Sequence, residues 1–260
     1  MLTIAGSDSV AGAGLQADLK TFAARGVYGT CACTAVTAQT TRGVRMVRAV
    51  GPALVRAQIE AVLDDVGTDA VKIGMLADAA TVRAVAAVVR ARRLRRVVLD
   101  PVLVASSGAR LLAPGAVGVL RACLLPLVDV VTPNLAEAAV LVGFPVTDLA
   151  GMRAAARALC DAGARAAVVT GGHLRGDAVD VLRAGGVEHV LRARRVPGPS
   201  PHGTGCTFAA ALAAALAEGA STVAAVRVAK RYTTGCIRRA VRLGRGRPLL
   251  GHPAAPRRSS

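Results

Sequence analysis

Short runs rich in Val, Ile and Leu alternate with amphipathic stretches of helical period along almost the whole chain, and this alternation limits the fold more than any other feature. Strands are expected at Leu2–Ala5, Thr30–Ala38, Val44–Val50, Ala70–Ile73, Arg96–Leu99, Val128–Val131 and Ala166–Val169. Between them, helices are expected at Gln16–Ala24, Pro52–Val66, Ala79–Arg92, Pro114–Leu124, Leu135–Val142 and Leu149–Ala162. Gly185-Gly186, set between Ala178–Arg183 and Glu188–Arg195, reads as the turn of a hairpin. Two closing helices follow at Thr207–Ala217 and Thr222–Arg242. Strands separated by crossover helices pair in parallel, so the expected architecture is α/β: a doubly wound, mostly parallel sheet with helices on both faces.

The chain has 260 residues, enough for one large α/β domain. No stretch rich in Pro, Gly or Ser divides it, so a single domain is expected over 1–245, with a basic, irregular tail over 246–260. Apolar residues make up 53% of the chain and aromatic ones only 2%, so the core must be built from Ala, Val and Leu. No apolar run approaches the roughly 18 to 20 residues that cross a bilayer, and the N-terminus lacks a signal-peptide pattern; a cytoplasmic protein without a membrane partner is expected. Cys31, Cys33, Cys123, Cys160, Cys206 and Cys236 show no C-x-x-C spacing with His partners, which argues against zinc and for buried reduced thiols. Cys31 and Cys33 alternate with Ala32 on a strand and are expected to share a core-facing side.

The net charge is +17, and from Gly219 to Ser260 there are ten Arg or Lys and no acidic residue. Such a stretch can attract nucleic acid or another polyanion. No aromatic residues interleave for base stacking, so a solvated helix face and frayed tail is the favoured reading, with a basic binding module as the alternative.

In open α/β sheets, ligands gather beyond the carboxyl ends of the strands. The polar residues follow this rule: Gly6-Ser7-Asp8, Gln39-Thr40-Thr41, Gly74-Met75, Asp100, Asn134 and Thr170-Gly171-Gly172-His173 all succeed strands. His202-Gly203-Thr204-Gly205-Cys206-Thr207 then opens an alanine-rich helix. A glycine turn at a helix start aims unpaired N–H groups and the positive end of the helix dipole at one point, which receives an anion. Cys206 sits in that turn, where the helix terminus favours a thiolate. His202 reads as a residue that orients the turn. Asp100, Asn134 and Glu137 offer oxygen atoms suited to magnesium and phosphate; equally, Asn134 and Glu137 fit a helix N-cap with its partner at N3. The loop Gly6–Gly14 is not G-x-G-x-x-G, and no G-x-x-x-x-G-K-[ST] occurs, so neither a Rossmann dinucleotide site nor a Walker ATPase is supported.

Taken in order, these segments resemble the hydroxymethylpyrimidine/phosphomethylpyrimidine kinases of thiamine biosynthesis. The resemblance rests on Gly6-Ser7-Asp8-Ser9, Gly12-Ala13-Gly14-Leu15-Gln16-Ala17-Asp18, Ala38-Gln39, Lys72-Ile73-Gly74-Met75 and Asp100-Pro101-Val102. It continues through Thr132-Pro133-Asn134-Leu135-Ala136-Glu137, Gly171-Gly172-His173 and His202–Thr207, so it spans about residues 2–250. It implies a ribokinase-like fold, a homodimer, and use of ATP with Mg2+. By matching position, Gln39 would hydrogen-bond a pyrimidine, Ala13, Met75 and Val102 would pack on its ring, and Asp18 would belong to the same substrate group. Cys206 would be the base, with Gly203, Thr204 and Gly205 completing the phosphoryl cradle. Asn134, Thr170 and Gly172 would face the nucleotide, and Asp100 and Glu137 the metal. Thr170 departs from the family, which commonly has a lysine before Gly-Gly-His. A pyridoxal kinase of the same fold is the alternative reading.

Overall fold

The computed structural model describes residues 1–105, 108–172 and 174–253. Its elements follow the expected alternation: β1 (Leu2–Asp8), α1 (Gly14–Ala24), β2 (Thr30–Thr40), β3 (Gly43–Ala49), α2 (Pro52–Asp65), β4 (Val71–Ile73), α3 (Ala79–Ala91) and β5 (Val97–Leu99). After α4 (Ala116–Val119) come β6 (Val130–Val131), α5 (Leu135–Val142), α6 (Leu149–Asp161), β7 (Ala166–Gly171), β8 (Ala178–Ala184) and β9 (Val187–Ala193), then α7 (Thr204–Ala217) and α8 (Thr222–Arg238). The strands form one nine-stranded sheet in the order β3-β2-β1-β4-β5-β6-β7-β8-β9. The six central strands from β2 to β7 pair in parallel, while β3, β8 and β9 add antiparallel edges.

The two-residue period of each strand divides its side chains between two cores. Val97 and Leu99 pack with α2, α3, α5 and α6 on one face, whereas Val98 points to α1, α7 and α8 on the other. The alanines of α7 let this helix lie close on the sheet: every residue from Thr207 to Leu216 is buried. A helix apolar on all sides belongs in an interior, so the composition of this segment dictates its place. The β8–β9 hairpin turns on Gly185 and Gly186, whose φ values of 56° and 78° suit the turn that matches strand twist.

Three expectations need correction. The helix expected over Pro114–Leu124 is regular only over Ala116–Val119. A wide π-type turn follows over Leu120–Leu124 and a tight turn over Leu125–Leu127, where Pro126 lacks an N–H to continue a regular helix. Cys31 is exposed and Cys33 half-buried, because Ala32 and Thr34 take the inward register; only Cys236 of the six thiols is fully buried. The stretch from residue 246 is irregular over its described part, as expected, but it is no free tail, being tied to the body through residue 250; residues 254–260 lie outside the described residues. Gly246 N–H donates to Thr41 Oγ1 at 3.0 Å and Arg247 N–H to the Thr41 carbonyl at 2.9 Å. Leu249 pairs with Val241 on one side and His202 on the other, and Leu249 and Leu250 are buried.

The same segment ends on His252, whose Nδ1 lies 3.2 Å from the Tyr232 hydroxyl. Burial, aided by Lys20, pulls the His252 imidazole down to about 4 from 6.5. The unfolded chain therefore binds a proton that the folded chain refuses, so the associated stability is present above pH 6.5 and is lost as pH falls toward 4. Part of the ring meets solvent, and the screened effect is about 1 kcal/mol. Urea unfolding between pH 7 and 4 should show a shallower loss in His252→Asn; an unchanged pH slope would contradict this assignment.

Candidate active site

The strand ends and the start of α7 enclose a cavity of about 440 Å³. Its walls bring together all but one of the described site candidates: Gln39, Ala13, Met75 and Val102; Gly203, Thr204, Gly205 and Cys206; Asn134, Thr170 and Gly172; Asp100 and Glu137. His173 lies outside the described residues. Asp18 is the exception. Its carboxylate is fully buried beneath the wall, where Oδ2 accepts from Thr3 Oγ1 at 2.6 Å and from Lys72 Nζ at 2.9 Å. A carboxylate so engaged positions Lys72 and does not meet a substrate, which corrects the sequence-based assignment.

The helix start is built for an anion. Gly203 stands in the left-handed region at φ 84°, and a Cβ there would come within 1.7 Å of the Gly12 carbonyl oxygen, so only glycine fits. No side chain caps α7, and the N–H groups of Thr204, Gly205 and Cys206 have no protein acceptor among the described residues. These donors meet the cavity at the positive end of the α7 dipole.

Under the cavity floor lies a charged array that the sequence pattern did not expose. Lys72 is 0% exposed, and its Nζ stands 2.9 Å from Asp18 and 3.8 Å from Asp100 Oδ2. Burial works to discharge it, but the carboxylates of Asp18 and Asp100 outweigh burial and hold the ammonium charged. A lysine inside the apolar strand Val71-Lys72-Ile73 was the available signal, since lysine is almost never fully buried unless paired.

Cys206 departs from expectation. Burial, reinforced by the carboxylates of Asp100 and Asp18, pushes its thiol up, and Lys72 offsets only part of this. The helix terminus alone therefore does not bring the thiol below its ordinary range.

Asn134 and Glu137 form the capping box: Asn134 Oδ1 accepts from Glu137 N–H, and Glu137 Oε2 accepts from Asn134 N–H, both at 3.0 Å. Burial and then the Asp100 carboxylate push Glu137 up to about 8. Asp100 Oδ2 is buried without a hydrogen-bond donor. Two carboxylates on one cavity, one with an orphaned oxygen, are the donor set that a divalent cation takes. Capping and cation binding are compatible in Glu137, because the cap uses one of its oxygens.

Three further groups complete the walls. Lys230 of α8 donates to Asp180 Oδ2 at 2.6 Å and to the Ala178 carbonyl at 3.0 Å, beside the strand that carries Thr170. His202, expected to orient the turn, does more: its Nε2 lies 3.0 Å from Asp8 Oδ2 and 2.8 Å from the Gln39 amide. Burial opposes ionisation of Asp8, but donors from His202, Val10 and Ala13 hold its carboxyl below the usual range.

Residues 8–250 match the family described as phosphomethylpyrimidine kinase. The thiamine biosynthesis bifunctional protein ThiED of Geobacter sulfurreducens is 49% identical over 253 residues, which cover 97% of this chain and 52% of that protein; the chain thus spans about half its length. The hydroxymethylpyrimidine/phosphomethylpyrimidine kinase of Synechococcus elongatus is 46% identical over 96% of both chains. An ADP complex of Bacillus subtilis pyridoxal kinase superposes with a TM-score of 0.90 at 38% identity, covering 97% of this chain and 96% of that one. The sheet order and the helices on both faces are those of the ribokinase-like fold expected. With a family match that begins at the end of β1 and closes beyond α8, and with relatives nearly half identical along almost its whole length, this chain belongs to the phosphomethylpyrimidine kinase family.

Proposed function

We propose that this protein uses ATP to phosphorylate 4-amino-5-hydroxymethyl-2-methylpyrimidine and then its monophosphate, giving the diphosphate used in thiamine biosynthesis. One observation carries the reading: a single cavity sets an uncapped helix start and Cys206 together with a wall of Gln39, Ala13, Met75 and Val102. Such a cavity holds a flat ring by one face and edge while its hydroxymethyl arm faces the phosphoryl cradle.

In the reaction, the substrate oxygen forms a bond to the γ-phosphorus as the bond from that phosphorus to the β–γ bridging oxygen breaks, and ADP departs. Cys206 acts in its thiolate form, taking the hydroxyl proton onto its sulfur to become the thiol. The N–H groups of Gly203, Thr204, Gly205 and Cys206 hold the charge that develops on the phosphoryl oxygens, and Lys72 steadies the negative charge beneath them. Asn134, Thr170 and Gly172 form the nucleotide wall. Asp100 and Glu137 would hold Mg2+, which would supply positive charge against that of the phosphates and of the two carboxylates.

Pyridoxal kinase is the second reading, favoured by the superposition on the Bacillus subtilis enzyme. A homodimer belongs to the proposal as well; exposed Val36 and Met46, on the same side of β2 and β3, give it an apolar patch. The test supplies Mg-ATP with either the pyrimidine alcohol or pyridoxal and follows ADP release and products. Successive mono- and diphosphate from the pyrimidine, abolished in Gln39→Ala, supports the first reading; turnover of pyridoxal alone replaces it with the second. Sedimentation of the same preparation checks the dimer, which a monomer mass would overturn.

A further inference from the structure

Gln39 lines the same cavity as Ala13, Met75 and Val102, and what it offers a ligand depends on which way its amide is turned. Its backbone is fixed: Ser9 Oγ donates to the Gln39 carbonyl at 2.9 Å and accepts from the Gln39 N–H at 2.8 Å. Its side chain touches two groups among the described residues. One end lies 2.8 Å from His202 Nε2, and the other 3.3 Å from Thr37 Oγ1.

Both neighbours have their proton direction set from behind. Asp8 Oδ2 takes the N–H groups of Gly12 and Ala13 at 3.0 and 2.9 Å, and Oδ1 takes that of Val10 at 2.9 Å. An ionised carboxylate only accepts, so His202 Nε2, 3.0 Å from Oδ2, must carry a hydrogen. At the far end, Thr37 Oγ1 donates its one hydrogen to the Ser7 carbonyl at 2.9 Å and so turns lone pairs toward Gln39. An amide nitrogen facing His202 would oppose donor to donor, and its oxygen would oppose the lone pairs of Thr37. Turned over, the amide opposes neither neighbour: its oxygen shares the single Nε2 hydrogen of His202 with Asp8 Oδ2, and its nitrogen donates to Thr37 Oγ1. The oxygen and nitrogen of an amide are assigned by such networks.

We infer that Asp8 and His202 are positioning residues that fix the proton polarity of Gln39, so that the ring wall offers an amide N–H donor and selects a heteroaromatic substrate with an unprotonated ring nitrogen or comparable acceptor at that edge. In this orientation one amide N–H has no protein partner among the described residues. The inference deepens the proposed function and rests on it for the identity of the ring; the tautomer of His202 does not depend on it.

The decisive measurement is therefore twofold. In uniformly 15N-labelled ligand-free protein, long-range 1H–15N correlation of the histidine rings, with His202 assigned through His202→Asn, should show the hydrogen on Nε2. A hydrogen on Nδ1 alone would overturn the inference whatever the substrate. In steady-state kinetics, His202→Leu should raise KM for the pyrimidine alcohol about 10- to 100-fold, the usual range for a misdirected buried hydrogen bond. KM for ATP should move less than about 3-fold, and His202→Gln, which keeps an N–H donor, should recover most of the loss. In a Gln39→Leu background, His202→Leu should add no further rise; an equal rise in both backgrounds would mean a merely structural role and sink the inference. Wild-type protein that ignores the pyrimidine would defeat the functional reading and leave the tautomer to decide this one.

Discussion

Cys206→Ala is expected to lower kcat for the pyrimidine alcohol by about 10²- to 10⁴-fold, the range that a positioned general base contributes. The side chain stands in the first turn of α7, on the cavity, with Lys72 and Asp100 as its charged neighbours. Removing it takes away the proton acceptor but leaves the N–H groups of Thr204 and Gly205 in place, so KM for ATP should change by less than about 3-fold. The direction of the pH effect follows from the same surroundings. Burial and the two carboxylates push the thiol up, so only a minor fraction is thiolate at neutral pH, and wild-type kcat/KM should climb as pH rises from 6 to 9. Cys206→Ala should flatten that climb, and Cys206→Asp, which restores an anionic acceptor, should regain part of the rate. A Cys206→Ala enzyme within about 5-fold of wild type would remove Cys206 from proton transfer.

Lys72→Met should cost stability in addition to its effect on phosphoryl transfer. The change strips the cation from two buried carboxylates, Asp18 at 0% exposure and Asp100 at 4%. Breaking a buried pair by deleting one partner typically costs about 3–5 kcal/mol, a large share of the roughly 5–15 kcal/mol that holds a domain folded. Asp18 Oδ1 already lacks a donor, so the deletion leaves Thr3 Oγ1 as its one hydrogen-bond partner among the described residues. Urea unfolding should place the variant about 3–5 kcal/mol below wild type, and adding Asp18→Asn should recover part of the loss by removing the stranded charge. A loss below about 1 kcal/mol would mean that water reaches these carboxylates and that the array is not dry.

The order of elements was legible because it depends on local period: Val97, Val98 and Leu99 announce a strand buried on both faces without reference to anything distant. The membership of the cavity was legible for a related reason, since residues just past parallel strands converge wherever the sheet is wound. What the residues meet through space was not. Asp18 follows a small-residue loop and looks like a ligand contact, yet its partner Lys72 lies 54 positions away and draws it below the wall. The thiol of Cys206 obeys Asp100 and Asp18 as well as its own helix. Cys31 and Cys33 alternate correctly, but alternation does not say which side is inside. Gly244 to Leu250 offers no periodic signal at all; its place is set by Thr41, Val241 and His202, which are far apart in the chain.

That last contact has a consequence for the order in which the protein comes alive. The N–H of His202 donates to the carbonyl of Pro248 at 2.9 Å, and Leu249 runs alongside it. A nascent chain that has emerged from the ribosome only as far as α8 already carries every residue proposed to touch substrate. It still lacks the strap that seats His202, and with it the far end of the loop leading into Gly203. The turn is therefore seated only after Gly244–Leu250 has followed α8 out of the ribosome, and until then the residues of the cavity stand without the contact that holds His202 in place.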